Sequence, residues 1–202
     1  MDSAEESGIW CEIRSGKLAP GHPALFLDRD GTIIDLIDYL SDPSQVVLIP
    51  NMVTLLRNAR AAGRAIVMVT NQSGVGRGYY DWKEFEAVQN RIYELLAAEN
   101  LSIDAIYACS HPPSSAGGPK RSAYRKPAPG MLLKASVDLG LDLSASVIVG
   151  DTADDLEAGK SAGLQLGALV TTGYGKNAIE RQKALKLSDD KFRVTFEMQN
   201  LT

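Results

Sequence analysis

Two carboxylates at the end of an apolar run are the first feature of the sequence that could do chemistry. The segment "LFLDRDGTIID" passes from buried-type residues into Asp28, Arg29 and Asp30. Side chains two apart on an extended chain point to the same side, and desolvating charges is costly unless a partner offsets them. One acid can attack phosphorus, and the other can protonate the leaving oxygen and then activate water. Together with the polar residues that follow the other apolar runs, the pair predicts phosphoryl transfer through an aspartyl-phosphate, with Asp28 and Asp30 as catalytic residues.

Two acids beside a phosphate require a cation. Mg²⁺ binds through one or two carboxylates and keeps several waters. The segment "SVIVGDTADD" places Asp151 at the end of another apolar run, where it is the natural third protein ligand. We therefore expect Mg²⁺ at Asp28, Asp30 and Asp151.

Polar residues in two further segments are suited to holding a phosphorylated substrate. Thr70 and the turn amides at Asn71 follow the run "AIVMVT", and such groups can hold phosphate oxygens. Lys126 can neutralise the transferring group as a point charge. Arg125 can hold a second anionic group through two hydrogen bonds. These residues predict a small phosphorylated metabolite as the partner.

The elements that must position these residues alternate along the chain. Continuous apolar runs typical of buried parallel strands occupy 24–28, 65–70, 105–110, 146–151 and 166–172. Helical patterns lie between them, at 52–59, 85–96, 131–139 and 155–162. This order predicts an α/β fold with a Rossmann-like parallel sheet and helices on both faces, a three-layer α/β/α architecture. Ligands bind at the carboxyl ends of such strands, which is where the polar segments fall.

The remaining organisation is simple. Residues 1–23 are interpreted as an N-terminal extension and 24–202 as one domain, with no separate cap domain. Asp81 and Glu84 form a candidate capping box, and Gly140 is expected to end the third helix. A Pro-, Gly- and Ser-rich loop spans 110–130. A loop of this length in a compact domain is typically functional or mobile.

Composition excludes several classes of protein. The 202 residues carry a net charge of −4, which disfavours nucleic-acid and anionic-membrane partners because both favour basic patches. No apolar run approaches the roughly 20 residues of a membrane span, and the acidic start does not fit a signal peptide. Two cysteines give no disulfide framework. We expect a cytoplasmic protein, whose oligomeric state the sequence leaves open.

Four motifs together resemble those of the haloacid dehalogenase (HAD)-like phosphatase superfamily. They are "DRDGT", "VTNQSG", "RKP" and "VGDTADD". Within it, "TNQSGVGRGY" and "RKPAPGML" resemble the branch of heptose 1,7-bisphosphate and histidinol-phosphate phosphatases. The resemblance implies Asp28 as nucleophile, Asp30 as acid/base, and Mg²⁺ on Asp28, the Asp30 carbonyl and Asp151. It also implies phosphate contacts from Thr70 and Lys126. Arg125 would recognise substrate, as would a short loop after the first motif, roughly Leu36 to Tyr39.

The chain departs from that branch in two places. The branch commonly has a zinc loop; here Cys109 and His111 match its first ligand pair, but Ser122 and Tyr124 replace its second pair of cysteines. Structural zinc is normally four-coordinate, so we expect no zinc. A lysine usually follows the metal-binding aspartate of the fourth motif, and Thr152 stands there instead.

Alternative interpretations remain at this stage. Asp28 and Asp30 alone suit a surface turn, and Asp154 and Asp155 are interpreted as helix caps. The preferred activity is a phosphatase acting on a sugar bisphosphate such as heptose 1,7-bisphosphate. Histidinol phosphate or another small phosphomonoester is the second choice. An inactive phosphate-binding protein and a phosphotransferase or mutase, which would need a cap to exclude water, are rivals of another class.

Overall fold

The fold is described by a computed structural model for residues 8–16, 18–117, 122–198 and 201. Its strands are β1 (Ile9–Ile13), β2 (His22–Leu27), β3 (Ala65–Asn71), β4 (Ala105–Cys109), β5 (Leu141–Gly150), β6 (Leu166–Leu169) and β7 (Arg193–Thr195). They form one sheet in the order β1-β4-β3-β2-β5-β6-β7. Strands β2 to β7 run parallel, and β1 runs antiparallel to β4.

Helices cover both faces of the sheet. The longer ones are α1 (Pro50–Ala61), α2 (Trp82–Ala98), α3 (Gly130–Leu139), α4 (Ala153–Ala162) and α5 (Ala178–Leu185), and a short helix spans Ser73–Gly76. Apolar side chains of α1 and α2 form one core with one face of the sheet, and those of α3, α4 and α5 form a second core with the other. The predicted three-layer α/β/α fold is confirmed. Within the described ranges no inserted domain interrupts it, and no helix is long and apolar enough to cross a membrane.

Helix ends follow the local signals of the sequence. The Asp81 carboxylate accepts hydrogen bonds from the backbone of Lys83 and Glu84, and the Glu84 side chain accepts one from the Asp81 backbone. This completes the predicted capping box of α2. Gly140 follows α3 with a φ of +74°, a left-handed conformation that glycine adopts without strain.

The amino-terminal segment contributes to the sheet. Residues 9–13, which lie within the predicted extension 1–23, form the edge strand β1 and pair with β4. Trp10 stacks on Trp82 at 6.2 Å and meets Phe85 edge-on at 5.1 Å between ring centroids. An edge strand contacts one neighbour and buries alternate residues, so this short, partly exposed strand lacks the continuous apolar run that marks the buried strands.

Candidate active site

The carboxyl ends of β2, β3 and β5 open into a cleft of about 270 Å³. Every site residue predicted from the sequence lines this cleft: Asp28, Asp30, Tyr39, Thr70, Asn71, Arg125, Lys126 and Asp151. Parallel strands end at a common edge, so residues that are 120 or more positions apart in the chain become neighbours there. The topology thus assembles the site, and the contacts of each side chain decide what that residue does in it.

An acid cluster with one buried lysine lies at the base of the cleft. Ligand oxygens of Asp28, Asp151 and Asp155 all lie within 4.8 Å of one another. The Lys126 Nζ lies 2.6 Å from an Asp28 oxygen and 2.6 Å from an Asp155 oxygen, and it donates to the Val69 carbonyl at 2.7 Å. Three carboxylates face one ammonium group, so the cluster carries an excess of negative charge when all are ionised.

That crowding changes the acidity of the cluster. Burial raises the pKa of Asp28 to about 7 against the opposing pull of Lys126, and repulsion from Asp155 adds to the rise. Burial, followed by repulsion from Asp28 and Asp155, raises the pKa of Asp151 to about 8. Burial lowers the pKa of Lys126, but the two acids outweigh this and the net shift is upward, so Lys126 stays charged. The cluster lacks positive charge, which a bound cation would supply.

Backbone packs closely around Asp151. The Tyr174 amide donates to the Asp151 carboxylate at 2.8 Å, and the Thr172 hydroxyl donates to the Gly31 carbonyl at 2.6 Å. A Cβ at Gly31 or at Gly173 would collide with the Asp151 carboxylate, and both glycines have positive φ, at +79° and +49°. Glycine is therefore required at both positions to leave room beside this carboxylate.

The cluster suits a small hard cation. Its side-chain donors are carboxylate oxygens, which Mg²⁺ prefers. Because Asp155 pairs with Lys126, Asp28 and Asp151 remain as the one or two carboxylates that Mg²⁺ requires alongside water and phosphate oxygens. Burial and, after it, repulsion between the acids raise the pKa values of Asp28 and Asp151, and a divalent cation would relieve that repulsion. The donor set therefore fits Mg²⁺.

Asp155 is a site residue that the sequence analysis missed. The interpretation as a helix cap is partly right, because its carboxylate accepts from the Thr152 amide at 3.0 Å and from the Thr152 hydroxyl at 2.7 Å. The N-cap residue of α4 is Thr152, and Asp155 lies three positions on. Its other oxygen pairs with Lys126. Gly150 leaves room for it, since a Cβ there would collide with the Asp155 side chain. The sequence signal that could have identified Asp155 as a site residue is its position four residues after Asp151.

Asp30 lies outside the acid cluster. Its Oδ2 accepts hydrogen bonds from Arg29 Nε at 3.0 Å and from Gln72 Nε2 at 2.8 Å. Its Oδ1 is buried and has no hydrogen-bond partner within the described ranges. The separate environments of Asp28 and Asp30 suit the two different roles expected of them.

Asn71 positions the loop that carries Lys126. Its amide nitrogen donates to the Lys126 carbonyl at 3.1 Å, and its carbonyl oxygen accepts from the Lys126 amide at 3.0 Å. Asn71 was expected at the substrate, where its turn could offer backbone amides. In the structure its side chain holds the Lys126 backbone, and Asn71 also lines the cleft, so the expected contact with substrate stays a prediction.

Arg125 is held at two points in the loop that follows β4. Its backbone amide donates to the Ser122 hydroxyl at 3.0 Å, and its guanidinium donates to the His111 carbonyl at 2.9 Å. Ser122 also contacts His111 Nδ1 at 2.8 Å and the Cys109 sulfur at 3.9 Å. Hydrogen bonds through Ser122 thus join Cys109 and His111, the two candidate zinc ligands. Arg125 also lines the cleft.

Aromatic side chains form the rim of the cleft. Tyr39, at φ +55°, meets Tyr79 edge-on at 4.7 Å between centroids, and the Arg77 guanidinium lies 5.9 Å from the Tyr39 ring. On the other side the Tyr174 hydroxyl contacts the Asp38 carboxylate at 3.2 Å. Tyr39 is 44% exposed, so it can meet a substrate that enters the cleft.

Comparisons with known proteins identify similar chains. The family model described as HAD-hydrolase-like matches residues 123–191. The D-glycero-beta-D-manno-heptose-1,7-bisphosphate 7-phosphatase of Mesorhizobium japonicum is 48% identical over 168 residues, which are 82% of this chain and 77% of that protein. The enzyme of the same name from Escherichia coli K12 is 37% identical over 158 residues, covering 77% of this chain and 83% of that protein.

A solved structure has the same fold. The D,D-heptose 1,7-bisphosphate phosphatase from B. bronchiseptica, crystallised with magnesium and phosphate, superposes with a TM-score of 0.72 at 30% identity. The match covers 87% of this chain and 93% of that one.

Proposed function

The chain belongs to the heptose 1,7-bisphosphate phosphatase branch of the HAD-like phosphatases, and we propose that it hydrolyses the 7-phosphate of D-glycero-D-manno-heptose 1,7-bisphosphate. It is a phosphoric monoester hydrolase. The observation that carries the proposed mechanism is the pairing of Asp28 with the buried Lys126 at 2.6 Å, inside a cluster of acids whose charge fits Mg²⁺. A cytoplasmic location belongs to the same proposal. The division into an extension, 1–23, and a domain, 24–202, stays a prediction from the sequence, whereas β1 and the first residues of β2 pair within the sheet.

Asp28 is the proposed nucleophile. Its carboxylate attacks phosphorus, the bond from phosphorus to the sugar oxygen breaks, and an aspartyl-phosphate forms. Lys126 lies against Asp28 and, as a fixed positive charge, stabilises the negative charge that the transferring group carries. Asp28, Asp151 and the Asp30 carbonyl would hold Mg²⁺, which would neutralise negative charge on the phosphoryl oxygens. Asp155 keeps Lys126 in place from its other side.

Asp30 is the proposed acid and base. It gives a proton to the departing sugar oxygen and then takes a proton from the water that attacks the aspartyl-phosphate. That second attack releases inorganic phosphate and regenerates the Asp28 carboxylate. Thr70 binds a phosphate oxygen through its hydroxyl, beside the nucleophile. The two acids thus divide the work between covalent attack and proton transfer.

The second phosphate of the substrate is assigned to Arg125. Its guanidinium is half-buried, lines the cleft and is anchored to the His111 carbonyl, so it presents a fixed cation to an anionic group. Tyr39 at the rim is the proposed contact for the sugar. A substrate with two phosphates uses both the Lys126 end and the Arg125 side of the cleft.

Zinc has no part in the proposal. Four ligands are normal for a structural zinc site, and Ser122 stands beside Cys109 and His111 where a third ligand would be. The hydrogen bonds of Ser122 hold the loop in place of a metal.

Phosphate release in the presence of Mg²⁺ tests the function. The substrates are heptose 1,7-bisphosphate, histidinol phosphate and several sugar monophosphates, with Asp28→Asn as the control. We expect Mg²⁺-dependent release that the substitution abolishes, with the bisphosphate preferred. A preference for histidinol phosphate would favour the other substrate of the branch. Mg²⁺ binding without release from any substrate would favour a phosphate-binding protein.

The Arg125→Ala variant tests substrate choice. It should reduce the preference for bisphosphate over monophosphate while monophosphate hydrolysis continues. An unchanged preference would remove the basis for placing the second phosphate at Arg125.

A further inference from the structure

A buried glutamine, Gln72, connects the residues that follow β2, where the proposed nucleophile lies, to Thr70 at the end of β3. Gln72 is 2% exposed, and its side-chain amide has four partners. Its Oε1 lies 3.1 Å from Arg29 Nη2 and 2.5 Å from the Tyr80 hydroxyl. Its Nε2 lies 2.8 Å from Asp30 Oδ2 and 2.8 Å from Thr70 Oγ1. This set uses the full hydrogen-bonding capacity of the amide.

The chemistry of these partners fixes the direction of every hydrogen bond. The Arg29 guanidinium can only donate, so the oxygen of Gln72 faces Arg29 and its nitrogen faces Asp30 Oδ2, which accepts. Tyr80 must then donate to Gln72. The second N–H of Gln72 donates to the Thr70 hydroxyl oxygen and occupies one of its lone pairs. The proton of the Thr70 hydroxyl therefore remains available to donate to another group. In the described part of the chain, the Thr70 hydroxyl donates to no protein atom.

The environment of Tyr80 keeps its hydroxyl a hydrogen-bond donor. Burial raises its pKa to about 12, so its hydroxyl keeps its proton at neutral pH. Its ring packs over Gly74, where a Cβ would collide with the ring. The glycine of "TNQSG" therefore lets the tyrosine reach Gln72.

We propose that Gln72 is a positioning residue, which aims the Thr70 hydroxyl at the phosphate and holds the Asp30 carboxylate for proton transfer. Tyr80 and Arg29 keep the amide in the one orientation that serves both. The proposal rests on the proposed function for its Asp30 half. Its Thr70 half concerns phosphate binding alone, which is measurable without turnover.

A double-mutant cycle with Thr70 tests the phosphate half. Affinity for inorganic phosphate with Mg²⁺ is measured by calorimetry for wild type, Thr70→Val, Gln72→Met and the double variant. We expect Gln72→Met to weaken binding about 10-fold, the scale of one hydrogen bond to a charged group, and to add nothing once Thr70 is valine. Unchanged affinity or additive effects would overturn this half.

Matched variants separate positioning from general damage. Gln89→Met removes another fully buried glutamine, which lies in α2 and outside the cleft, and phosphate affinity should stay unchanged. Tyr80→Phe removes one donor and leaves the packing, so it should weaken phosphate binding in the same direction by less, again only when Thr70 is present. If Gln72→Met fails to fold, Tyr80→Phe completes the cycle with the same criteria.

Leaving-group dependence tests the Asp30 half. First-turnover release is compared for a sugar phosphate and for 4-nitrophenyl phosphate, whose leaving group needs little protonation. Gln72→Met should slow the sugar phosphate about 10-fold more than the aryl phosphate, a fraction of what general acid catalysis supplies. Equal slowing of both substrates would overturn this half. Absence of turnover in wild type would instead overturn the proposed function, while the phosphate cycle would still decide the Thr70 half.

Discussion

Removing one negative charge from the acid cluster should stabilise the metal-free protein. Asp151 is 2% exposed, and its pKa is raised from 3.8 to about 8 by burial and by repulsion from Asp28 and Asp155. A carboxyl whose pKa is higher in the folded state holds a proton that the unfolded chain releases. Its contribution to stability is therefore present at low pH and is lost as pH rises from about 4 to about 8.

The magnitude follows from the size of the shift. Four pKa units at about 1.36 kcal/mol each would be roughly 6 kcal/mol if Asp151 titrated alone. The repulsion between Asp28 and Asp151 is shared by both, so we assign about half of this, roughly 3 kcal/mol, to Asp151. Metal-free Asp151→Asn should thus exceed wild type in free energy of unfolding at pH 8. For a chain of this size that is a rise in melting temperature of about 6 to 12 °C.

Thermal denaturation in a chelator measures this directly. The difference between Asp151→Asn and wild type should shrink as pH falls toward 4, because wild type then takes up the proton. Mg²⁺ should stabilise wild type and have little effect on the variant. Asp142→Asn is the control, since hydrogen bonds from Ser144 lower the pKa of Asp142 and its charge is not strained. Equal melting temperatures for Asp151→Asn and wild type at pH 8 would refute the account of a strained acid cluster.

Further expectations concern the same cleft. Gly31→Ala should weaken Mg²⁺ binding at least about 10-fold by calorimetry, because φ is +79° and the added methyl collides with Asp151; unchanged binding would contradict that crowding. Lys126→Met should lower the free energy of unfolding of the metal-free protein at pH 8 by about 3 kcal/mol. Part of this loss should be regained near pH 5, where the acids take up protons. Denaturant titration at the two pH values measures both effects, and a loss independent of pH would contradict the pairing of Lys126 with the acids. The double variant Ser122→Cys, Tyr124→Cys should bind Zn²⁺ tightly, whereas wild type should not. The Ser122 hydroxyl lies 3.9 Å from the Cys109 sulfur, which is near the distance between two sulfur ligands of tetrahedral zinc. Metal analysis of the purified proteins tests this, and equal zinc content in the two would contradict it.

The fold and the location of the cleft could be read from the sequence because both depend on local patterns. Buried parallel strands need continuous apolar runs, and polar residues placed directly after them meet at one edge of the sheet. Asp28, Thr70 and Asp151 therefore stand out without coordinates. Strand β1 did not, because an edge strand that is half-exposed carries no such run.

The roles of individual side chains depended on contacts that no local pattern records. Asp155 satisfies the rule for a helix start, and only the packing of α4 beside β5 brings its second oxygen to Lys126. Glutamine after a strand is typical of an ordinary turn, but the side-chain amide of Gln72 is buried and has four hydrogen-bond partners.

The sequence by itself determined the chemistry that is available: the two acids after β2, the lysine, the candidate metal ligand Asp151, and the alternation of strands and helices that delivers them to one edge of a sheet. Tertiary structure alone decided how that chemistry is divided. It placed Asp28 against Lys126 and Asp30 against Gln72, and it turned the Asn71 side chain toward the Lys126 backbone. The physical reason is that strand and helix patterns depend on neighbours in the chain, whereas hydrogen-bond partners and pKa values depend on groups brought within a few ångströms by packing.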